Sequence, residues 1–434
     1  MQVRVSPGSL HGTLQVPGSK SHTIRCVLLS LLAKGPSVIH NPLASGDGLS
    51  ALAVSKAFGA TVQQQKGRWV IEGRGSQLLV PENCIDTRNS GTTTCFFTSV
   101  AALVDGYTVI TGDQQIRQRP ILPLVNALNE LGAKAFLTRP NQSAPPVVVR
   151  GVMKGGNTTI NGFNSQYVSS LLLSTPLVQS TTHLTVVDAL EKPYVQMTLD
   201  WMHRYGVDVA NDHAYGAFTI EGGQSYKSGE HHIPADWSAV AFPLVASVIT
   251  DSDLVLTGLD FQDSQGDKRV VDILISMGAD IVKDTEAGTL HCKGGVALQG
   301  GQVIDLSDIP DALPALVVAA TQAHGSTVFT NLQHVRVKET DRVGEMTQKL
   351  NLLGCDLSIV EDSLVVRGPT AIGAGTVSSS HDHRIAMALV SAAMAAQEEV
   401  VVTDAECADV SFPGFFDSFR ACGANLEVME DAEL

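Results

Sequence analysis

Residues 270–284 read VVDILISMGADIVKD. An amphipathic helix runs into Gly278 and a β-branched strand leaves it. A glycine just past a helix takes the left-handed conformation that ends the helix without the steric penalty of a Cβ atom. The same apolar-Gly-small-polar ending recurs as AFGAT at Gly59, ELGAK at Gly132, RYGVD at Gly206, LLGCD at Gly354 and ACGAN at Gly423. The spacings are 73, 74, 72, 76 and 69 residues. Six endings in register make an internal repeat.

A second ladder runs between these endings. Six Ala/Leu/Val-rich stretches each open on polar or special residues: GSKSHTIRCVLLSLLA from Gly18, NSGTTTCFFTSVAAL from Asn89, NSQYVSSLLLSTPLV from Asn164, ADWSAVAFPLVASVI from Ala235, IPDALPALVVAATQA from Ile309 and HDHRIAMALVSAAMA from His381. Strands such as YTVITGD, HLTVVDA, DLVLTGL, STVFTNL and EEVVVTD follow them. Helices that are hydrophobic all round belong in the interior. Each repeat of about 72 residues therefore reads helix, strand, helix, strand, strand. Three repeats make one domain of ordinary size, and the polar, turn-rich stretch GGQSYKSGEHHIPAD at 222–236 divides the six into three and three. The expected domains are 17–235, and 1–16 with 236–434.

Composition narrows the function classes. The 434 residues carry 29 Lys+Arg against 44 Asp+Glu, a net charge of −15. That argues against a general nucleic-acid binder and against docking on anionic membranes. Hydrophobic residues make up 44% and charged residues 17%, a balance opposite to that of a disordered chain. The start MQVRVSPGSL has no secretory signal pattern, and no uncharged apolar run of membrane-spanning length occurs. Seven cysteines are dispersed with no C-x-x-C pair, which reads as reduced thiols in a cytoplasmic protein and not as a zinc site. The first turns of the apolar helices carry Lys20, Ser21, Asn89, Thr92, Ser165, Gln166, Asp311, His383 and Arg384. Helix N-termini attract anions, so the repeat symmetry implies one anion site where those ends gather.

PGSKSHTIR, RNSGTT, IRQRPI, NSQY, KPYVQMTLDWM, IPDALPALVVAAT, RVKETDR, HDHR and VSFPGFF occur in the order found in the enolpyruvyl transferases. The chain resembles that family along its whole length, and most of all the branch whose acceptor is shikimate-3-phosphate. The resemblance implies an α/β fold of two similar domains, each of three βαβαββ units around buried helices, with the active site in the interdomain cleft. It implies transfer of the enolpyruvyl group of phosphoenolpyruvate to an acceptor hydroxyl, no cofactor and no metal, small-molecule substrates only, no nucleic acid or membrane partner, and a monomer. Addition to C2 with protonation of C3, then loss of phosphate, asks for cations against several oxyanions, an acid and a base.

By resemblance, Lys20 meets both substrates, and Ser21 and Arg25 (i,i+4 on one helix face) hold the acceptor carboxylate. Asn164, Ser165, Gln166, His334 and Lys338 contact the acceptor. Gly91, Arg119, Gln166, Arg342 and Arg384 contact phosphoenolpyruvate. Asp311 is the base and Glu339 the proton donor, with Lys20 a third catalytic candidate. Tyr194, Glu191 and His383 are further candidates. Plainer readings stand beside these: Asp311 or His383 as helix caps, Gly91 as a turn glycine, and Lys338, Glu339 and Arg342 as an ion-paired face within one helical turn. A carboxylate flanked by two cations gives up its proton readily, so a donor role for Glu339 asks for burial or bound anions to offset them.

Five positions depart from the family pattern. Cys95 stands for an arginine, Asn164 for the first serine of S-S-Q, Glu191 for the serine before K-P-Y, His334 for an asparagine and Val410 for a lysine. Glu191 and Asn164 fall at contacts to the acceptor's 3-phosphate, which leaves a different acceptor open: an unphosphorylated shikimate-like acid, or UDP-N-acetylglucosamine. The loop GDQQIRQRP lacks the cysteine of the UDP-N-acetylglucosamine branch. A non-catalytic relative of the same fold is the remaining alternative, against which stand Lys20, Asp311, Glu339, Arg342 and Arg384.

Overall fold

The six glycines that punctuate the sequence all adopt positive φ, between 80° and 103°. Behind each, the same bond closes the helix: Ala60 N to Ser55 O, Ala133 N to Leu128 O, Val207 N to Met202 O, Ala279 N to Leu274 O, Cys355 N to Leu350 O and Ala424 N to Phe419 O, at 2.9–3.1 Å. These are six copies of one Schellman cap, so the repeat is a repeat of backbone geometry as well as of composition.

The computed structural model describes residues 1–429. Residues 18–233 form one compact unit, and residues 1–17 with those from 234 onward form another. The first holds helices α1 (Lys20–Leu32), α2 (Gly91–Ala101), α3 (Ser165–Ser174) and α4 (Lys192–Arg204). The second holds α5 (Trp237–Val248), α6 (Leu313–Thr321), α7 (Arg342–Leu352) and α8 (His383–Met394).

Each unit carries three sheets. In the four-stranded ones a parallel pair is extended by two antiparallel strands. Gly156–Asn161 runs parallel to Thr182–Val187, for example, and Thr182–Val187 pairs antiparallel with Ala217–Ile220. The N-terminal strand Gln2–Val5 lies antiparallel between Val400–Thr403 and Leu426–Met429, and His11–Gln15 pairs parallel with Asp253–Thr257. The first seventeen residues thus complete the second unit, and the chain then builds the first unit entire before returning.

Burial decides where the helices go. Every residue of α5, α6 and α8 is buried. In α1 only Lys20 and Ser21 are not, in α2 only Thr92, and in α3 only Gln166. A fully buried Leu or Val contributes about 1.5–3 kcal/mol, more than any helix propensity, so these helices are internal because nothing else covers them. Several of their hydroxyls are satisfied within the core. Ser30 Oγ donates to Cys26 O at 2.7 Å, Ser170 Oγ to Cys95 O at 2.6 Å across α2 and α3, and Ser391 Oγ to Phe242 O at 3.1 Å across α5 and α8. In α1, α2 and α3 the half-buried positions all lie in the N-terminal turns, and three of them, Lys20, Ser21 and Gln166, are candidate site residues. Among the described residues no helix is long and apolar enough to cross a membrane.

Candidate active site

In the first unit, three helix starts and the loops beside them carry the polar groups. Lys20 opens α1, and its Nζ lies 3.7 Å from Asp47 Oδ2. Asp47 Oδ1 also accepts from Ser90 Oγ at 2.5 Å, and Ser90 caps α2 by accepting from Thr93 N. Gly91 follows. A Cβ built there would stand 2.6 Å from Arg119 Nη1, so glycine is what lets the guanidinium lie against the helix start. This goes beyond the turn-glycine reading. Arg119 Nη2 donates to Asn89 Oδ1 at 3.1 Å, and Asn89 Nδ2 donates to Asp113 Oδ2 at 2.5 Å and to Gln115 Oε1 at 2.6 Å. Gln166 Nε2 donates to Thr92 Oγ1 at 3.1 Å and ties the start of α3 to that of α2. Asn164 caps α3, its Oδ1 accepting from Gln166 N at 3.0 Å.

Arg25 is buried at 2% exposure. It donates from Nε to Thr198 Oγ1 at 2.8 Å, from Nη1 to Ser21 O at 3.0 Å and from Nη2 to Tyr194 O at 3.1 Å, with its guanidinium carbon 5.1 Å from the Phe96 ring centre. Burial pulls its pKa down to about 10, against the opposing influence of Tyr194 and Glu191, and leaves it a cation at neutral pH. Glu191 is itself buried and accepts from both Ser165 N and Ser165 Oγ. Cys95 is buried too; burial pushes its thiol up to about 12, with Arg119 opposing, so it is no thiolate nucleophile at neutral pH.

In the second unit the cluster centres on Arg342, whose side chain is 1% exposed. Nη1 donates to Asp311 Oδ1 at 2.7 Å, Nη2 to Glu339 Oε2 at 2.5 Å, and Nε to Asp382 Oδ2 at 2.8 Å. Arg384 Nη2 lies 3.0 Å from the other Asp311 oxygen. Burial acts to lower the Arg342 pKa, but Asp382, Glu339 and Asp311 outweigh it and hold it above its ordinary value. Two guanidinium groups thus face three carboxyl groups. Sequence reasoning missed Asp382 and Asp47. Both sit at helix starts, where an aspartate reads as a cap, and Asp382 does cap α8 by accepting from Arg384 N at 3.0 Å.

Three expectations change. Lys338, Glu339 and Arg342 do not share a helical turn. Asp341 caps α7 by accepting from Gly344 N at 3.1 Å, so the helix begins at Arg342 and Lys338 lies before it with ψ −141°. The Glu339–Arg342 pair forms across that turn. Asp311 is not a helix cap: it lies in the short turn Pro310–Ala312, and its carboxylate serves the two arginines. His383 is not the cap of α8, because Asp382 is. His334 is buried in the turn Gln333–Val337, and Val410 ends the turn Ala405–Val410.

Residues 5–419 match the EPSP synthase (3-phosphoshikimate 1-carboxyvinyltransferase) family. The chain belongs to that family. A 3-phosphoshikimate 1-carboxyvinyltransferase of Ruminiclostridium cellulolyticum is 45% identical over 429 residues, 99% of this chain and 100% of the relative. One from Acetivibrio thermocellus is 43% identical over 430 residues, again covering 99% and 100%. Among solved structures, EPSP synthase from Acinetobacter baumannii superposes with a TM-score of 0.82 at 27% identity, covering 99% of this chain and 100% of that one.

Proposed function

We propose that this chain transfers the enolpyruvyl group of phosphoenolpyruvate to the 5-hydroxyl of shikimate-3-phosphate, releasing phosphate. The observation that carries the reading is the pair Asp311 and Glu339, both held by one buried guanidinium at 2.7 and 2.5 Å. Asp311 takes the proton of the attacking hydroxyl as its oxygen bonds to C2. Glu339 gives a proton to C3, and the double bond becomes a single bond. The tetrahedral intermediate then breaks its C2–O bond to phosphate, C3 returns its proton to Glu339, and phosphate leaves with the proton that Asp311 took. No electron carrier is needed.

Donation by Glu339 is opposed by Arg342 beside it. It is favoured by the neighbouring carboxylates Asp311 and Asp382 and by the anionic substrate. Lys20, Arg119, Arg384 and the Gly91 backbone neutralise phosphoenolpyruvate. Arg342, fully engaged with carboxylates, acts on it by holding Asp311 and Glu339 in place. Ser21, Arg25, Ser165, Gln166, Lys338 and His334 hold the acceptor. The Cys95 and Val410 departures remove cations that Lys20, Arg119 and Arg384 replace.

Phosphate release from phosphoenolpyruvate tests the reading, run in parallel with shikimate-3-phosphate, shikimate and UDP-N-acetylglucosamine. Release is expected with the first alone. Release that prefers either of the others overturns the acceptor, and release with none overturns catalysis.

A further inference from the structure

Glu191 carries a negative charge into the part of the chain assigned above to an anion. Its backbone is left-handed, φ 53° and ψ 37°, and its side chain folds inward to 2% exposure. One oxygen, Oε2, accepts from Ser165 N at 3.1 Å and from Ser165 Oγ at 2.6 Å. A serine has one backbone N–H and one hydroxyl proton to give, and Ser165 gives both to this carboxylate. Ser165 opens α3, so the charge also sits where the helix dipole favours it. Glu191 raises the pKa of buried Arg25, which places the carboxylate in that cation's field as well. The two Ser165 groups are the donors that an acceptor phosphate at the start of α3 would use.

We propose that Glu191 is a resident anion that holds the acceptor-phosphate locus at the start of α3 until the acceptor displaces it, and that this displacement sets the affinity and selectivity of the site. The inference rests on the reading of the acceptor as shikimate-3-phosphate. Two anions cannot share one N–H and one hydroxyl, so a phosphate reaches Ser165 only as the carboxylate turns out. Between turnovers the carboxylate keeps the Ser165 donors satisfied, where an open cradle would leave buried polar groups bare. Only an acceptor that offers a stronger anion than a carboxylate makes the exchange favourable. A phosphate dianion does; a hydroxyl at the same position does not, and an acceptor of that kind would bind with Glu191 in place.

Glu191→Gln keeps the shape and one acceptor oxygen while removing the charge, and Glu191→Ser removes both. Isothermal titration of wild type and both variants with shikimate-3-phosphate and with shikimate reads the effect, with folding checked by thermal melting. Both variants are expected to bind shikimate-3-phosphate about fivefold to a thousandfold more tightly, the range of one relieved like-charge contact at about 4 Å between bulk water and an effective dielectric of about 20, with shikimate affinity unchanged. If Glu191→Ser does not fold, Glu191→Gln decides alone. Unchanged or weaker shikimate-3-phosphate binding by folded Glu191→Gln overturns the inference while leaving the transferase reading intact. Loss of shikimate binding in that variant also overturns it, by making Glu191 a direct ligand of the acceptor. If shikimate-3-phosphate binds none of the three proteins, the functional reading falls and the inference falls with it.

Discussion

Asp382→Ala tests whether one buried carboxylate organises the second unit's cluster. The Asp382 side chain is fully buried and accepts four bonds: Arg342 Nε at 2.8 Å, Arg342 Nη2 at 3.2 Å, Thr340 Oγ1 at 3.1 Å and Arg384 N at 3.0 Å. Losing a helix cap alone costs about 0.5–2 kcal/mol. Removing one partner of a buried ion pair costs about 3–5 kcal/mol, because the other charge is left uncompensated. Here Arg342 keeps Asp311 and Glu339 as partners, so the lower end, about 3 kcal/mol, is expected. Asp382→Asn retains a cap acceptor but turns an amide toward donors, and should fall between wild type and alanine. Native-state hydrogen exchange read by segment is the suitable assay, because a chain of two units need not unfold in one step. Amides of α8 and of the 338–345 turn should lose protection, and those of α1–α3 should not. The kcat of folded protein should also fall, since Arg342 loses the two bonds to Asp382 that anchor its guanidinium and holds Asp311 and Glu339 less rigidly. A loss under about 1 kcal/mol in α8, with kcat unchanged, would refute the reasoning, because a solvent-like charge and not a buried organiser behaves that way.

Glu339→Gln should lower kcat by about 10²- to 10⁴-fold, the range of a lost acid–base group, with the acceptor dissociation constant nearly unchanged; steady-state kinetics and titration check it. Gly91→Ala puts a Cβ 2.6 Å from Arg119 Nη1, so the guanidinium must move; KM for phosphoenolpyruvate should rise, with little change in thermal stability. Burial pushes the thiols of Cys26, Cys95 and Cys292 up to about 12. Unfolded chains therefore ionise these thiols at lower pH than the folded one does: their contribution is intact below the ordinary thiol value and lost as pH rises from there toward 12, so the urea midpoint should fall across that window. Iodoacetamide at neutral pH should label exposed Cys84 well ahead of these three in native protein.

The fold was legible because its signals are local. Each repeat ends on a glycine that must be left-handed, and each apolar helix lacks a polar face, so period and burial can both be read from consecutive residues. Strand order was not legible at that level. Nothing local in QVRV at residues 2–5 says that it pairs with residues 400–403 and 426–429, and that closure is set by contacts more than 390 residues apart. The cations of the site were legible for a related reason. Lysine and arginine in an apolar helix start conflict with the dipole and with burial, and such a conflict marks function. Their partners were hidden. Asp47, Asp382 and Asp341 obey the local rule for helix starts, so each reads as an ordinary cap, and only Asp341 is no more than that plus a pair with Arg336.

The hidden carboxylates change how an acidic chain binds anionic substrates. Lys20 faces Asp47, Arg384 faces Asp311, Arg342 faces three carboxylates, and the N–H that opens α3 faces Glu191. Each of these cations and helix starts meets an internal anion, so the cationic groups of the site are already partly neutralised by the chain. Substrate affinity is then a difference between what an anion gains from a guanidinium, an ammonium or a helix start and what the displaced carboxylate loses. That difference can be tuned by the carboxylate as readily as by the cation. On the proposed reading, a carboxylate gained at position 191 acts on the Ser165 donors that the acceptor would use.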